Sequence, residues 1–203
     1  MSTNSSAGSR PYHHGNLRDA LLDAAEQNIE ARGVTGLSMR ELARLVGVSH
    51  AAPKSHFPDR DALLDALAQR GFERLGPELD RASSSGPLDA RFRDTMAAFV
   101  TFAIDHPELL DLMFARKRAT KDHNSTLELA ADQALRAITR LIDEATTTGA
   151  LAPIEPLRYW FVLGALTRGI ANLVLSGDIG ASAIETLLTD ATRTFLRGNA
   201  PDA

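Results

Sequence analysis

Cysteine is absent from this chain of 203 residues. Its absence excludes a disulfide framework, thiolate zinc sites and thiol nucleophiles. No run of about 18 apolar residues occurs, so no segment is expected to span a membrane. The opening residues, MSTNSSAGSR, are small and polar and lack the apolar stretch of a signal peptide. A cytoplasmic location is the resulting expectation. Paired carboxylates, a nucleophile beside a base and a phosphate-binding loop are all missing, so no catalytic residue and no cofactor are expected. Alternating strand patterns are missing too.

Strong basicity is another absence. The net charge is −4, which does not point to nucleic acid. Its distribution is more informative. Residues 1–76 hold nine Lys/Arg and nine Asp/Glu, so the deficit lies in residues 77–203. Between Ala31 and Pro58, Arg32, Arg40, Arg44 and Lys54 stand against Glu41 alone. This local excess permits DNA binding without diagnosing it.

Helical periodicity fills most of the chain. Leu17, Leu21, Ala24, Ala25 and Ile29 form one stripe, which Gly33 ends. SMRE at Ser38–Glu41 has the form of a capping box and starts a short helix with Leu42, Leu45 and Val46 inward. Gly47 makes a turn, and Ser49 is placed to cap the next short helix. A longer helix begins at Asp59 and is expected to end near Arg81, before SSSGP. Further helices are predicted over 88–105, 107–115, 124–148, 156–176 and 181–197. The fold class is all-α, with about nine helices.

Two short helices joined by a glycine-containing turn, over about 38–57, make a helix-turn-helix. Its second helix enters the major groove. That gives SHAAPKSHF at 49–57 a mechanical reading. Ser49, as cap, leaves amides for a phosphate. Ala51 and Ala52 let the backbone approach. Pro53 offers a ring to a thymine methyl, and Lys54 a cation to a phosphate or a guanine edge. Ser38 and Arg40 flank the groove from the preceding helix start, and His50, Ser55 and Arg60 complete the expected DNA-contacting set. Arg44 reads as a solvated face. A metal site is not expected: His50 and His56 diverge by about 240° on a helix, and His13–His14 are adjacent in an N-terminal arm. Phe57 is expected to plug the small core.

Residues 16–75 resemble the DNA-binding domain of TetR/AcrR-family transcriptional regulators. The carrying stretches are ALLDAAEQNIEARGVTGLSMRELARLVGVS at 20–49, HF at 56–57 and DRDALLDAL at 59–67. The arm RPYHHGNLR at 10–18 resembles one branch of the family. The family usually has tyrosine where this chain has Lys54 and lysine where it has Arg60, and often arginine or another polar residue where it has Ser55. The resemblance implies that cations at 54 and 60 grip phosphates. HPELLDLMFARK at 106–117 and YWFVLGALTRGIANLVLSGDI at 159–179 resemble the WHG-type C-terminal domain of these regulators. Trp160 and Gly169 match, and Arg168 stands at the histidine position. The resemblance implies that this half binds a small molecule and forms the dimer.

The residues of the second half agree in outline. The 159–175 helix is apolar nearly all round, which suggests core on one side and a partner subunit on the other. Gly164 and Gly169 would let a helix approach. Leu187, Leu188, Ala191 and Phe195 supply a second stripe for a homodimer interface. Candidate pocket residues are Phe99, Phe102, Met113, Phe114, Trp160, Leu163, Thr167 and Arg168. Arg168 is expected to form an internal ion pair with Asp105, Glu128 or Asp132; the alternative is a ligand carboxylate. The chain is thus divided into an arm (1–15), a helix-turn-helix domain (16–75) and an effector-binding and dimerisation domain (76–203). The expected function is a ligand-responsive regulator on double-stranded operator DNA, most simply a repressor. An enzyme or carrier, and a relative that activates or has lost DNA binding, are the rivals.

Overall fold

The computed structural model describes residues 17–120 and 125–201. The His13–His14 pair and the arm before residue 17 lie outside them. Eight α-helices are present and, among the described residues, no strand. The helices are α1 (Leu17–Arg32), α2 (Met39–Val46), α3 (Arg60–Ser83), α4 (Leu88–Asp105), α5 (Pro107–Ala119), α6 (Thr126–Thr147), α7 (Pro156–Leu175) and α8 (Ile184–Gly198). Short 3-10 turns lie at 34–36, 52–55 and 181–183. Among the described residues, no helix is long and apolar enough to cross a membrane.

The ends of α4 to α8 follow the punctuation of the sequence. Pro107 and Pro156 sit in the first turns of α5 and α7, where a missing N–H costs nothing. The Ser125 side chain caps α6 by accepting from the Glu128 amide. Asp59 caps α3 by accepting from the Ala62 amide at 2.8 Å.

Helix α3 is the spine. Leu63, Leu64 and Leu67 are buried in the first half of α3, which packs on α1, while Phe72, Leu75 and Leu79 continue the same core beside α4, α5 and α6. Its longest seam is with α6. Two glycines allow close approach, one to α5 and one to α6. A methyl group on Gly71 would fall 2.5 Å from the Met113 sulfur, and one on Gly76 would fall 3.0 Å from the Ala134 Cα. The division at 75/76 falls inside this helix.

Core and surface differ from expectation at two places. Leu45, expected inward, is 52% exposed; Leu42 and Ala43 fill the contact with α1 instead. Phe195 is 2% exposed, packed against Phe92 and Tyr159 at ring-centroid distances of 5.6 and 5.8 Å. It stabilises the protomer and has no face left for a partner. Tyr159 is itself buried, which raises its pKa, and its hydroxyl donates to the Ala152 carbonyl at 2.7 Å.

The Gly76 seam has a direct test. A branched side chain there meets backbone, which cannot swing aside. Gly76→Val should therefore destabilise the protein by about 1–3 kcal/mol through overpacking. Chemical denaturation should show that loss, and a midpoint equal to wild type would mean that α3 and α6 are looser than described.

Candidate DNA-binding surface and effector cavity

The turn between α2 and the following segment depends on Gly47. Its φ of 77° and ψ of 31° are left-handed, a conformation that side chains with a Cβ disfavour. The segment after it is a 3-10 turn, Ala52–Ser55, and not an α-helix capped by Ser49. Pro53 is the reason. It has no N–H to give the Ser49 carbonyl, which takes the Ala52 amide at 3.0 Å instead. Ser49 is exposed with its carbonyl engaged, and Ala51 stands at the cap position without a side-chain bond.

Pro53 is buried, so its ring packs into the domain and is not presented to a base edge. The capping box of α2 does not form either. Ser38 occupies the cap position with extended backbone but makes no side-chain cap bond. The Glu41 carboxylate turns away and accepts from Arg32 at 2.7 Å. Arg44 lies 3.9 Å from the same carboxylate.

Arg60 is also engaged inside the head. Its Nε donates to the Leu37 carbonyl at 3.2 Å, and its Nη2 donates to the Val34 carbonyl at 2.5 Å. It locks the 34–37 segment to the start of α3, which withdraws it from the outer surface. A lysine could not span both carbonyls with one fork. Arg40 and Lys54 remain exposed, and neither side chain has a hydrogen bond or ion pair among the described residues. Ser38, Ser49, His50, Ala51 and Ser55 are exposed as well, with the Ser55 hydroxyl donating to the Ala52 carbonyl. Phe57 is buried at 2% exposure and carries the Arg18 guanidinium 5.3 Å above its ring.

A second feature lies in the other half. A cavity of about 940 Å³ opens between α4, α5, α6 and α7. Of the candidate pocket residues, Phe99, Phe114, Trp160, Leu163, Thr167 and Arg168 line it. Phe102 and Met113 do not. Phe102 faces Arg74 and His106, and Met113 is spent on the contact with Gly71. Residues not foreseen include Phe92, Thr95 and Met96 on α4, and Leu135 and Ile138 on α6. The signal for the first three was available, because 92, 95, 96 and 99 form one helical stripe.

Arg168 does not pair with Asp105, Glu128 or Asp132. Lys117 takes Glu128 and Asp132, each at 3.0 Å. Arg168 lies over the Phe114 ring, 4.4 Å from its centroid, with the Asp111 carboxylate 3.7 Å away. Burial pushes its pKa below the ordinary value, opposed by Asp111 and reinforced by Arg118.

Helix α5 touches both features. Phe114, Lys117 and Arg118 line the cavity. On the opposite face, Arg116 donates from Nε to Asp65 at 2.6 Å and from Nη1 to Asp61 at 3.1 Å. At the start of α5, the Leu109 amide donates to Glu30 of α1 at 3.3 Å. Nearby, Arg74 joins Glu26 of α1 to His106 Nε2, at 2.5 and 2.8 Å. Burial would raise the Glu26 pKa, but Arg74 and Arg70 together hold it below the ordinary value.

A helix-turn-helix head on a helical body with a half-open, mostly apolar cavity is the arrangement of a DNA-binding regulator. The known families agree. Residues 21–67 match the family described as bacterial regulatory proteins, tetR family, and residues 92–195 match the tetracyclin repressor-like C-terminal domain. The chain belongs to the TetR family of DNA-binding transcriptional regulators. It is similar to a solved protein of unknown function from Rhodococcus sp. RHA1, at 42% identity and a TM-score of 0.81 over 95% of this chain and 100% of that one. A TetR family transcription regulator from Marinobacter aquaeolei shares the fold, with a TM-score of 0.72 at 16% identity over 91% and 96% of the two chains. An uncharacterised HTH-type transcriptional regulator of Bacillus subtilis is 25% identical over 185 residues, 91% of this chain and 93% of its own. An HTH-type transcriptional repressor of Mycobacterium tuberculosis is 33% identical over 86 residues, 42% of this chain and 44% of its own.

Arg60 distinguishes a structural cation from a phosphate-gripping one. Arg60→Ala leaves the buried Leu37 carbonyl without its partner and should cost about 1–3 kcal/mol of stability. A variant that melts like wild type but binds DNA with a shallower salt dependence would place Arg60 on the phosphates instead.

Proposed function

We propose that this regulator is a dimeric repressor that leaves a palindromic operator when a small molecule fills the α4–α7 cavity. The observation that carries this reading is the double attachment of α5. One face of the helix forms a wall of the cavity, and the other is fastened to the head through Arg116 and the Leu109 amide. A ligand that repositions Phe114 or Lys117 must strain or shift those fastenings. Release then follows if the ligand prefers the arrangement in which the two heads no longer match the operator.

Dimerisation is supported by the outer face of α7. Val162, Leu173 and Leu175 are exposed apolar residues outside the cavity, while the exposed Leu157 and Phe161 stand at its rim. A Cβ on Gly169 would meet nothing in the protomer, leaving room for a second helix. With Phe195 buried, α8 contributes only the half-buried Leu187 and Ala191 to that side. A dimer places two 52–55 turns in successive major grooves, about 34 Å apart. Repression in particular is suggested by the repressor among the relatives.

DNA binding is tested on the DNA upstream of the gene that encodes the protein. Lys54→Ala should weaken both operator and unrelated DNA and lower the salt slope by about one unit, with no change in melting temperature. A loss confined to operator would assign Lys54 to a base edge, and unchanged binding to both DNAs would remove it from the interface.

Dimerisation has a separate test. Val162 is exposed and lies outside the cavity lining. Val162→Arg should give a monomer by light scattering and abolish tight operator binding. A dimer that persists in this variant would exclude the α7 face as the interface.

A further inference from the structure

Arg168 stands in the cavity with only a poor partner among the described residues. Arg168 is partly withdrawn from water, with 38% of its side chain exposed. The nearest carboxylate, Asp111, is 80% exposed and stands 3.7 Å away, beyond a hydrogen bond. Among the described residues, no N–H of the guanidinium's five-donor fork meets an acceptor at bonding distance, and its flat face is spent on Phe114. Such a fork is shaped for a carboxylate. Its setting is positive as well: Arg118 and Arg136 line the same cavity with no partner among the described residues, whereas Glu128 and Asp132 are taken by Lys117.

A second observation points the same way. Thr95 is only 4% exposed, lines the cavity, and its hydroxyl has no hydrogen-bond partner. A buried hydroxyl without a partner is costly unless a bound molecule satisfies it. The rest of the wall is aromatic and aliphatic, including Phe99, Trp160 and Leu163.

Building on the effector reading above, we infer that the effector is an apolar carboxylic acid, its carboxylate held by Arg168 and its apolar body lying between α4 and α7. The apolar wall selects the body, and the fork selects the charged end. A neutral molecule of the same shape would leave the fork unmatched and would bind less tightly.

Trp160 is the only tryptophan and lines the cavity, so its emission reports occupancy directly. The full-length protein is titrated with octanoate and 4-phenylbutyrate, and with 1-octanol and 4-phenylbutanol as neutral counterparts. At least one acid should shift Trp160 emission and bind at least about tenfold tighter than its alcohol. Arg168→Gln should bring acid and alcohol to within about twofold, and Arg168→Lys, which keeps the charge, should retain a preference for the acid. Circular dichroism establishes that both variants are folded. Equal affinity for acid and alcohol in the wild type, or a preference that survives Arg168→Gln, overturns the assignment of Arg168 while leaving a ligand-binding cavity in place. Silence of Trp160 toward all four compounds at millimolar concentration overturns the assignment together with the effector reading itself.

Discussion

One helix, α3, is packed into both halves of the chain, and the remaining architecture is constrained by that sharing. Its first half supplies Leu63, Leu64 and Leu67 to the head, and its second half supplies Phe72, Leu75 and Leu79 to the body. It cannot tilt in one half without disturbing the other. Gly76 sets it directly against the α6 backbone at Ala134, and Gly71 makes room on it for the Met113 side chain of α5. Close-packed interfaces of this kind change by switching between arrangements and do not deform gradually.

Helix α5 is braced against that spine and against α1. The Arg116 fork reaches two carboxylates in the first half of α3; its hydrogen bond to Asp65 does most to raise its pKa, against the opposing effect of burial. Glu30 receives the amide at the N-terminal end of α5, where the helix dipole favours a negative charge. The cavity therefore shares a wall with the fastening of the head. Cavity and helix-turn-helix head are joined through α5 as well as through α3.

Most of the framework was legible in the sequence because prolines, glycines and serine caps mark the ends of α3 to α8. Asp59, Pro107, Ser125 and Pro156 each stand within a residue or two of a helix start. What was misread follows from side-chain choices that a linear pattern does not contain. Glu41 could bond to the Ser38 amide or to Arg32, and the stronger charged partner took it. Pro53 satisfied a helical pattern but removed the donor that an α-turn needed. Leu45 fell on the predicted apolar side, yet α2 is so short that Leu42 and Ala43 complete its contact. Arg60 and Arg168 both sat among plausible partners, and only the fold places backbone carbonyls against the first and an aromatic ring against the second.

The central claim is that occupancy of the cavity sets the spacing of two heads. The natural lack of cysteine makes a direct measurement possible. A single cysteine in place of the exposed Arg44, at the end of α2, accepts a spin label uniquely, and pulsed dipolar spectroscopy then reads the distance between the two labels of a dimer. The account predicts a narrow distribution on operator DNA and a displaced one when the free protein is saturated with an acid that shifts Trp160 emission. A distribution that is the same in both conditions, in a protein whose DNA affinity nevertheless falls on ligand binding, would contradict it.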